Sequence, residues 1–249
     1  MDLKKRLSTE AAFFDSAIDR QYADIRSYGL SNSLNYQQLF AQIPQLAHLV
    51  DFFGDISGRR ILDAGCGNGW TALYFARSGA EVFACDVSPR CVETAKRHAE
   101  ANGLAERLFA QCMPAERLAF PDGFFDFVFM NAALHHCDIA LVSREFQRVL
   151  RPGGKVAVVE DYAYHPLMNL YRFLTPSRHT PSERPLGEDE IREFVSPFAR
   201  WHTYHFQLFD LLDRNGWPKR VLSSIDRFLL NRIPALKRYC RLVAIHAQK

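Results

Sequence analysis

Two aspartates each close a short apolar run: Asp63 in "RILDA" and Asp86 in "VFACD". Behind the first come three glycines at two-residue spacing, Gly65, Gly67 and Gly69. Glycine is used where φ must be positive or where a partner comes close to the main chain, so this stretch reads as a loop built around something. Further on, "LHH" places His135 and His136 just behind a third apolar run. Histidine titrates near neutral pH, so either ring suits a general base or a substrate contact. The plainer alternative for both is a pair that hydrogen-bonds loop backbone, and for His136 the two readings weigh evenly.

The ligand chemistry follows from the spacing. A glycine-rich turn can seat a phosphate at a helix N-terminus, but the dinucleotide fingerprint is G-x-G-x-x-G, whereas this chain has G-x-G-x-G. Asp63, two residues ahead of Gly65, is a poor neighbour for a pyrophosphate and a good one for an ammonium or a sulfonium. Asp86 is placed to accept hydrogen bonds from two ribose hydroxyls. The expected ligand is adenosine-like, with an amino-acid tail and no phosphates.

The elements that must hold these residues alternate. "RRILDA", "EVFACDV", "RLFAQC", "FFDFVFMN" and "KVAVVED" read as strands, and "WTALYFARSG", "SPRCVETAKRHAEANG" and "DIALVSREFQRVL" as helices between them. Ser88 and Asp138 are N-caps, Pro89 sits in a first turn, Gly79 and Gly103 are stops, and "RPGG" ends the third helix. Such alternation implies parallel pairing through helical crossovers, with ligands at the carboxyl ends of the strands. With "FARWHTYHFQLF" and "YCRLVAIHA" added, the expected fold is α/β. It is a doubly wound, Rossmann-like, mainly parallel seven-stranded sheet with helices on both faces. An N-terminal helical lid and C-terminal helical insertions complete it. Residues 1–57 form the helical cap, 58–161 the ligand-binding core, and 162–249 the remainder of the same domain with substrate-covering insertions.

In that order the motifs resemble those of the class I S-adenosylmethionine-dependent methyltransferases that act on small molecules. "ILDAGCGNG" resembles their first motif and "VFACDVSP" the acidic second. "MPAERLAFPDGFFDFVFMNAALHHCD" resembles the third and fourth, and "EFQRVLRPGGKVAVVE" the helix and strand beyond. The resemblance covers about Arg59 to Glu160 and is loose in both flanks. It implies S-adenosyl-L-methionine as cofactor and S-adenosyl-L-homocysteine as product. It places the loop Gly65, Cys66, Gly67, Asn68 and Gly69 around the methionine part, with Asp63 beside it, Asp86 on the ribose and Val87 on the adenine. Ala115 and Glu116 lie at the adenine edge, and Asn131 and Ala132 face the reacting methyl. Pro114 stands where the family often carries an acid for the adenine amine. Met113 and Pro114 are therefore left to pack on the ring, with Glu116 as the substitute.

The acceptor side reads less sharply. His136, His135, Asp161 and Tyr162 are the candidate catalytic residues. His165, Tyr36, Tyr28 and Arg184 are the candidate substrate contacts, against plainer readings as loop caps, core or connector. Glu160 and Tyr164 share the edge after the fifth strand. Phe13 and Phe14 read as core rather than lid, and Tyr22 lies on the same helix. "NAAL" stands where the methylases of nucleobases or glutamine carry N/D-P-P-Y/F, so the expected partner is a small molecule. A net charge of +3 over 249 residues suggests no nucleic acid. The six cysteines lack metal-ligand spacing and read as reduced, buried thiols, so no metal is expected. There is no signal-like segment and no apolar run long enough to span a bilayer, so a cytoplasmic protein is expected. The basic stretch from Arg214 to Arg241 reads first as a solvated amphipathic face, with an acidic membrane surface or an anionic substrate as the alternative. The oligomeric state is not legible. Two other functions share these motifs: alkyl transfer or cyclisation of the cofactor's own tail, and non-catalytic cofactor binding.

Overall fold

Apolar residues alternate along the first strand, and the two sets pack on opposite sides of one sheet. Ile61 joins one buried cluster, whereas Leu62 and Ala64 join the other. Period-two alternation of this kind, with both sets apolar, is what a sheet covered on both faces requires. The computed structural model describes residues 2–21, 35–176, 180, 183–209 and 219–249. Within them the seven strands are β1 (Arg60–Ala64), β2 (Glu81–Asp86), β3 (Leu108–Cys112), β4 (Phe125–Asn131), β5 (Leu150–Asp161), β6 (Arg200–Phe206) and β7 (Leu242–Gln248). Their order is β3-β2-β1-β4-β5-β7-β6. The first five pair in parallel, and β7 runs antiparallel between β5 and β6.

Helices α2 (Tyr36–Phe40), α3 (Pro44–Phe53), α4 (Trp70–Arg77) and α5 (Pro89–Ala101) bury their apolar residues in one cluster. Helices α6 (Ile139–Val149) and α8 (Glu188–Val195) do so in the other. The expected caps are in place: the Ser88 side chain accepts the N–H of Cys91, and that of Asp138 accepts the N–H of Leu141. Pro44 opens α3 as its first residue, where its missing N–H costs nothing. Helix α1 spans Leu3–Gln21. The flank after β5 carries α7 (Pro166–Leu174), α8 and, after β6, α9 (Lys219–Arg232). No described helix is long and apolar enough to cross a membrane.

One boundary differs from expectation. "RPGG" lies within β5 rather than between helix and strand. Phe125 pairs with Leu150 and Phe127 with Lys155, so the intervening residues bulge out of the ladder, with Gly153 at φ +75° absorbing the bend.

Candidate active site

Neighbouring parallel strands bring their carboxyl ends together, and β1 lies between β2 and β4, where the direction of winding reverses. That is where an open α/β sheet forms a crevice. Here it holds a cavity of about 240 Å³. The loop after β1 is tied to β2 by two bonds. The Cys66 N–H donates to the Cys85 carbonyl (3.0 Å), and the Gly67 N–H donates to Asp86 Oδ2 (2.9 Å). Gly65 has φ +66°, and a Cβ there would stand 2.4 Å from the Ala133 Cβ in the loop after β4. Only glycine lets these two loops interlock. At Gly67, φ is +52° and a Cβ would meet nothing within 4 Å, so its main chain borders open space.

Of the residues assigned to the cofactor from sequence, Asp63, Gly65, Cys66, Gly67, Asn68, Asp86, Val87, Met113, Ala115, Glu116, Asn131 and Ala132 all line this cavity. Gly69 and Pro114 do not. Gly69 is the left-handed residue that opens α4, and it lies against α5, where a Cβ would be 2.6 Å from that of Ala95. Ala132 has the left-handed φ of +52° without being glycine. Such backbone costs of the order of 1–2 kcal/mol and is found at functional edges.

The charges in the cavity are unbalanced. Asp63 is buried, and its Oδ2 accepts only a neutral donor, the Thr71 hydroxyl (2.6 Å). Burial pushes its pKa up to about 7, against the pull of the Thr71 and Ala72 hydrogen bonds. Asp86 is shifted in the same direction by burial, although the N–H groups of Ser88, Gly67 and Val87 oppose the shift. Neither carboxylate has a cationic partner among the described residues. A ligand carrying positive charge supplies what the protein omits. Glu116 adds an unfilled acceptor: its Oε1 takes Arg6 Nη2 and the Asp138 N–H, while its buried Oε2 has no partner. Two unneutralised carboxylates, an orphaned acceptor and a glycine cradle fit S-adenosylmethionine, with its sulfonium, ammonium, ribose and adenine amine.

Helix α1 closes the cavity, in the place expected of the N-terminal helical lid, but through residues that had not been assigned to it. Arg6, Leu7, Glu10 and Phe14 all line it. Arg6 donates to the His136 carbonyl as well as to Glu116. Glu10 is buried against His136 and Thr180. Asp15 Oδ1 accepts the Ser88 hydroxyl and the Arg90 N–H at the start of α5. Phe14 meets the His136 ring edge-on at 5.3 Å, so it faces the site and is not core. The charged residues Arg6 and Glu10 stand at helical spacing, a pattern that ordinarily marks a solvated face. Trp70, Thr71 and Cys137 also line the cavity without having been singled out.

The two histidines separate. His136 lines the cavity; His135 does not. The His135 Nδ1 donates to Glu160, which is fully buried and also accepts the N–H groups of Ala133 (2.8 Å) and Leu134 (2.5 Å). Burial alone would lower the pKa of His135, but the Glu160 charge and hydrogen bond outweigh it and raise the value. This pair shapes the loop that presents His136. The tautomer of His136 follows from its partners. The Thr180 hydroxyl donates to Glu10 Oε1 (2.8 Å), so its oxygen is left to accept from His136 Nδ1 (3.1 Å). Glu10 Oε2 lies 3.2 Å from the same nitrogen. Nδ1 therefore carries the proton, and Nε2 is the basic nitrogen.

The remaining expected acceptor-side residues do not reach the cavity. Asp161 accepts from Arg172 (2.7 Å). The Tyr162 hydroxyl is bonded to Glu188 and its ring is buried. His165 caps α7, its Nδ1 accepting the Met168 N–H (3.3 Å). Tyr36 is wholly buried in the α2–α4 core, with its hydroxyl on the Gly54 carbonyl. Arg184 is exposed, and its N–H donates to the His135 carbonyl (3.0 Å). Tyr22, Tyr28, Arg178, His179 and Arg214 lie outside the described residues.

Comparison with known proteins places the chain among methyltransferases. Residues 62–158 match the family described as "Methyltransferase domain". An uncharacterized methyltransferase, YcgJ, of Bacillus subtilis is 34% identical over 196 residues, covering 77% of this chain and 76% of the relative. The crystal structure of YcgJ superposes with a TM-score of 0.59 at 25% identity, over 83% of this chain and 98% of that one. A ubiquinone biosynthesis O-methyltransferase of Methylocella silvestris is 34% identical over 57% of this chain, and the match spans about half of that relative (54%).

Proposed function

We propose that this chain, which belongs to the class I S-adenosylmethionine-dependent methyltransferases and methylates a small molecule, does so on a hydroxyl oxygen, with His136 as the general base. The observation that carries this reading is His136 on the cavity wall with Nδ1 3.1 Å from the Thr180 hydroxyl oxygen, whose own proton goes to Glu10, which leaves Nε2 as the basic nitrogen. A hydroxyl is a weak nucleophile until its proton is removed, so an oriented base is what an oxygen acceptor needs. The O-methyltransferase name of one relative supports the same acceptor class.

When bound, S-adenosylmethionine supplies an electrophilic methyl on a positively charged sulfur. The chain's residues do the rest. Asp86 holds the ribose hydroxyls, Glu116 the adenine amine, and Asp63 balances the positive charge. His136 Nε2 takes the acceptor's proton, and Glu10 stabilises the imidazolium that results, as the buried carboxylate of a catalytic triad does. Arg6, Leu7 and Phe14 keep water from the reacting atoms. Holding the acceptor in line with the sulfur–carbon bond contributes about 7–11 kcal/mol to lowering the barrier.

The test is turnover with methyl-labelled cofactor and a panel of hydroxylated small molecules. The wild type forms S-adenosylhomocysteine and a labelled methyl ether. His136→Ala lowers kcat by about 10²–10⁴ with cofactor affinity nearly unchanged, and Glu10→Gln lowers kcat by a smaller factor. Label found on nitrogen, or equal rates for wild type and His136→Ala, overturns the assignment.

A further inference from the structure

Helix α7 is built inside out. Its polar residues hold it to the protein: Arg172 reaches Asp161 (2.7 Å) and Asn169 Nδ2 donates to the Ala163 carbonyl (2.7 Å). Its apolar residues Leu167, Leu170, Tyr171 and Leu174 recur at i, i+3, i+4 and i+7 and all face outward, with Phe173 beside them. Phe173 is 80% exposed and Leu174 66%, and no residue of the helix is buried. A surface helix of a globular protein turns such a stripe toward the core.

The neighbouring C-terminal segment behaves likewise. Ile225 and Phe228 of α9, and Ile233 and Tyr239 beyond it, are exposed. The two regions are joined, since Asp226 of α9 accepts the N–H groups of Leu208 (2.9 Å) and Phe209 (3.0 Å), and the Leu208 carbonyl lies 3.4 Å from Nε2 of the α7 cap, His165. Cations lie on the exposed rings: the Arg232 guanidinium is 5.6 Å from the Phe228 centroid, and that of Arg238 is 5.4 Å from the Tyr239 centroid. Asp226 is the lone acid between Lys219 and Arg241, and it is buried on those backbone donors. The exposed charge of that segment is therefore entirely positive.

We propose that this face docks on the surface of an anionic lipid bilayer, with the α7 stripe and Phe228 at the level of the acyl chains and Arg232 and Arg238 among the headgroups. Apolar and aromatic side chains flanked by cations are the composition of an interfacial helix. A second copy of the chain is a poorer occupant. A two-fold interface sets the same patch against itself, and here that would oppose cation to cation. The solvated face favoured by the sequence does not explain α7, whose apolar side looks outward.

The experiment is sedimentation of the full chain with phosphatidylcholine vesicles, with and without phosphatidylglycerol. The protein pellets with the anionic vesicles and at least tenfold less with the neutral ones, and added salt weakens the partition. Phe173→Asp, and separately Arg232→Glu with Arg238→Glu, each reduce partition about tenfold or more, while S-adenosylmethionine binding is unchanged and reports an intact fold. Wild-type protein that stays in the supernatant with anionic vesicles overturns the proposal, as does partition indifferent to both variants. A stable dimer by light scattering that Phe173→Asp splits, without vesicle binding, assigns the face to a second copy and equally overturns it.

Discussion

Asp63 holds its proton to about pH 7 because it is buried with only neutral donors, and this gives cofactor binding a pH dependence of definite sign. The unfolded carboxyl ionises near pH 4. Between there and 7 the folded state keeps a proton that the unfolded chain has lost. The resulting contribution to stability is full below pH 4 and is lost as pH rises through 7. A bound cation favours the ionised form, so binding expels the proton. Titration calorimetry of S-adenosylmethionine shows affinity rising by up to tenfold per pH unit below 7 and levelling above it, with proton uptake by the buffer. Affinity independent of pH from 5 to 8 would remove Asp63 from the cation's neighbourhood. The carboxylates and glycines were legible because their chemistry depends on residue type and local spacing. Glu160 was not separable from Asp161 or Tyr162, since three polar residues in a row at a strand end point in directions that only the register decides.

Among elements, the two loops that close the crevice illustrate how one residue type serves two purposes. Gly65→Ala sets a methyl 2.4 Å from that of Ala133, and since both lie on tightly packed main chain, the variant loses well over 1 kcal/mol of stability in urea denaturation. Gly67→Ala meets no atom. It costs only the left-handed backbone, about 1–2 kcal/mol, but carries its methyl into the cavity proposed for the cofactor, and is expected to weaken binding at least tenfold. Equal affinity losses at matched stability would contradict this division. The βα units were readable from apolar runs punctuated by caps. An N-terminal helical lid was readable, but not which residues of α1 wall the site, because an amphipathic pattern says which side is covered and not by what. The outward stripe of α7 defeated the pattern for the opposite reason, since periodicity carries no sign.

For the whole molecule, the winding reversal between β1 and β4 places the crevice, but the structure completes it with a helix from the far end of the chain. Arg6 and Glu10 meet Glu116, His136 and Thr180 across more than a hundred residues of sequence, contacts that no local reading contains. S-adenosylmethionine at about a hundred times its Kd stabilises the fold by about 2.7 kcal/mol. Hydrogen exchange then slows in α1 as well as in the loops after β1 and β2. Protection confined to the loops would show that α1 does not cover the ligand. The seat of α1 also ties two features to one movement. Glu10 faces His136 from the same helix whose Arg6, Leu7 and Phe14 line the cavity, so any displacement of α1 would uncover the cavity and withdraw Glu10 from His136 together.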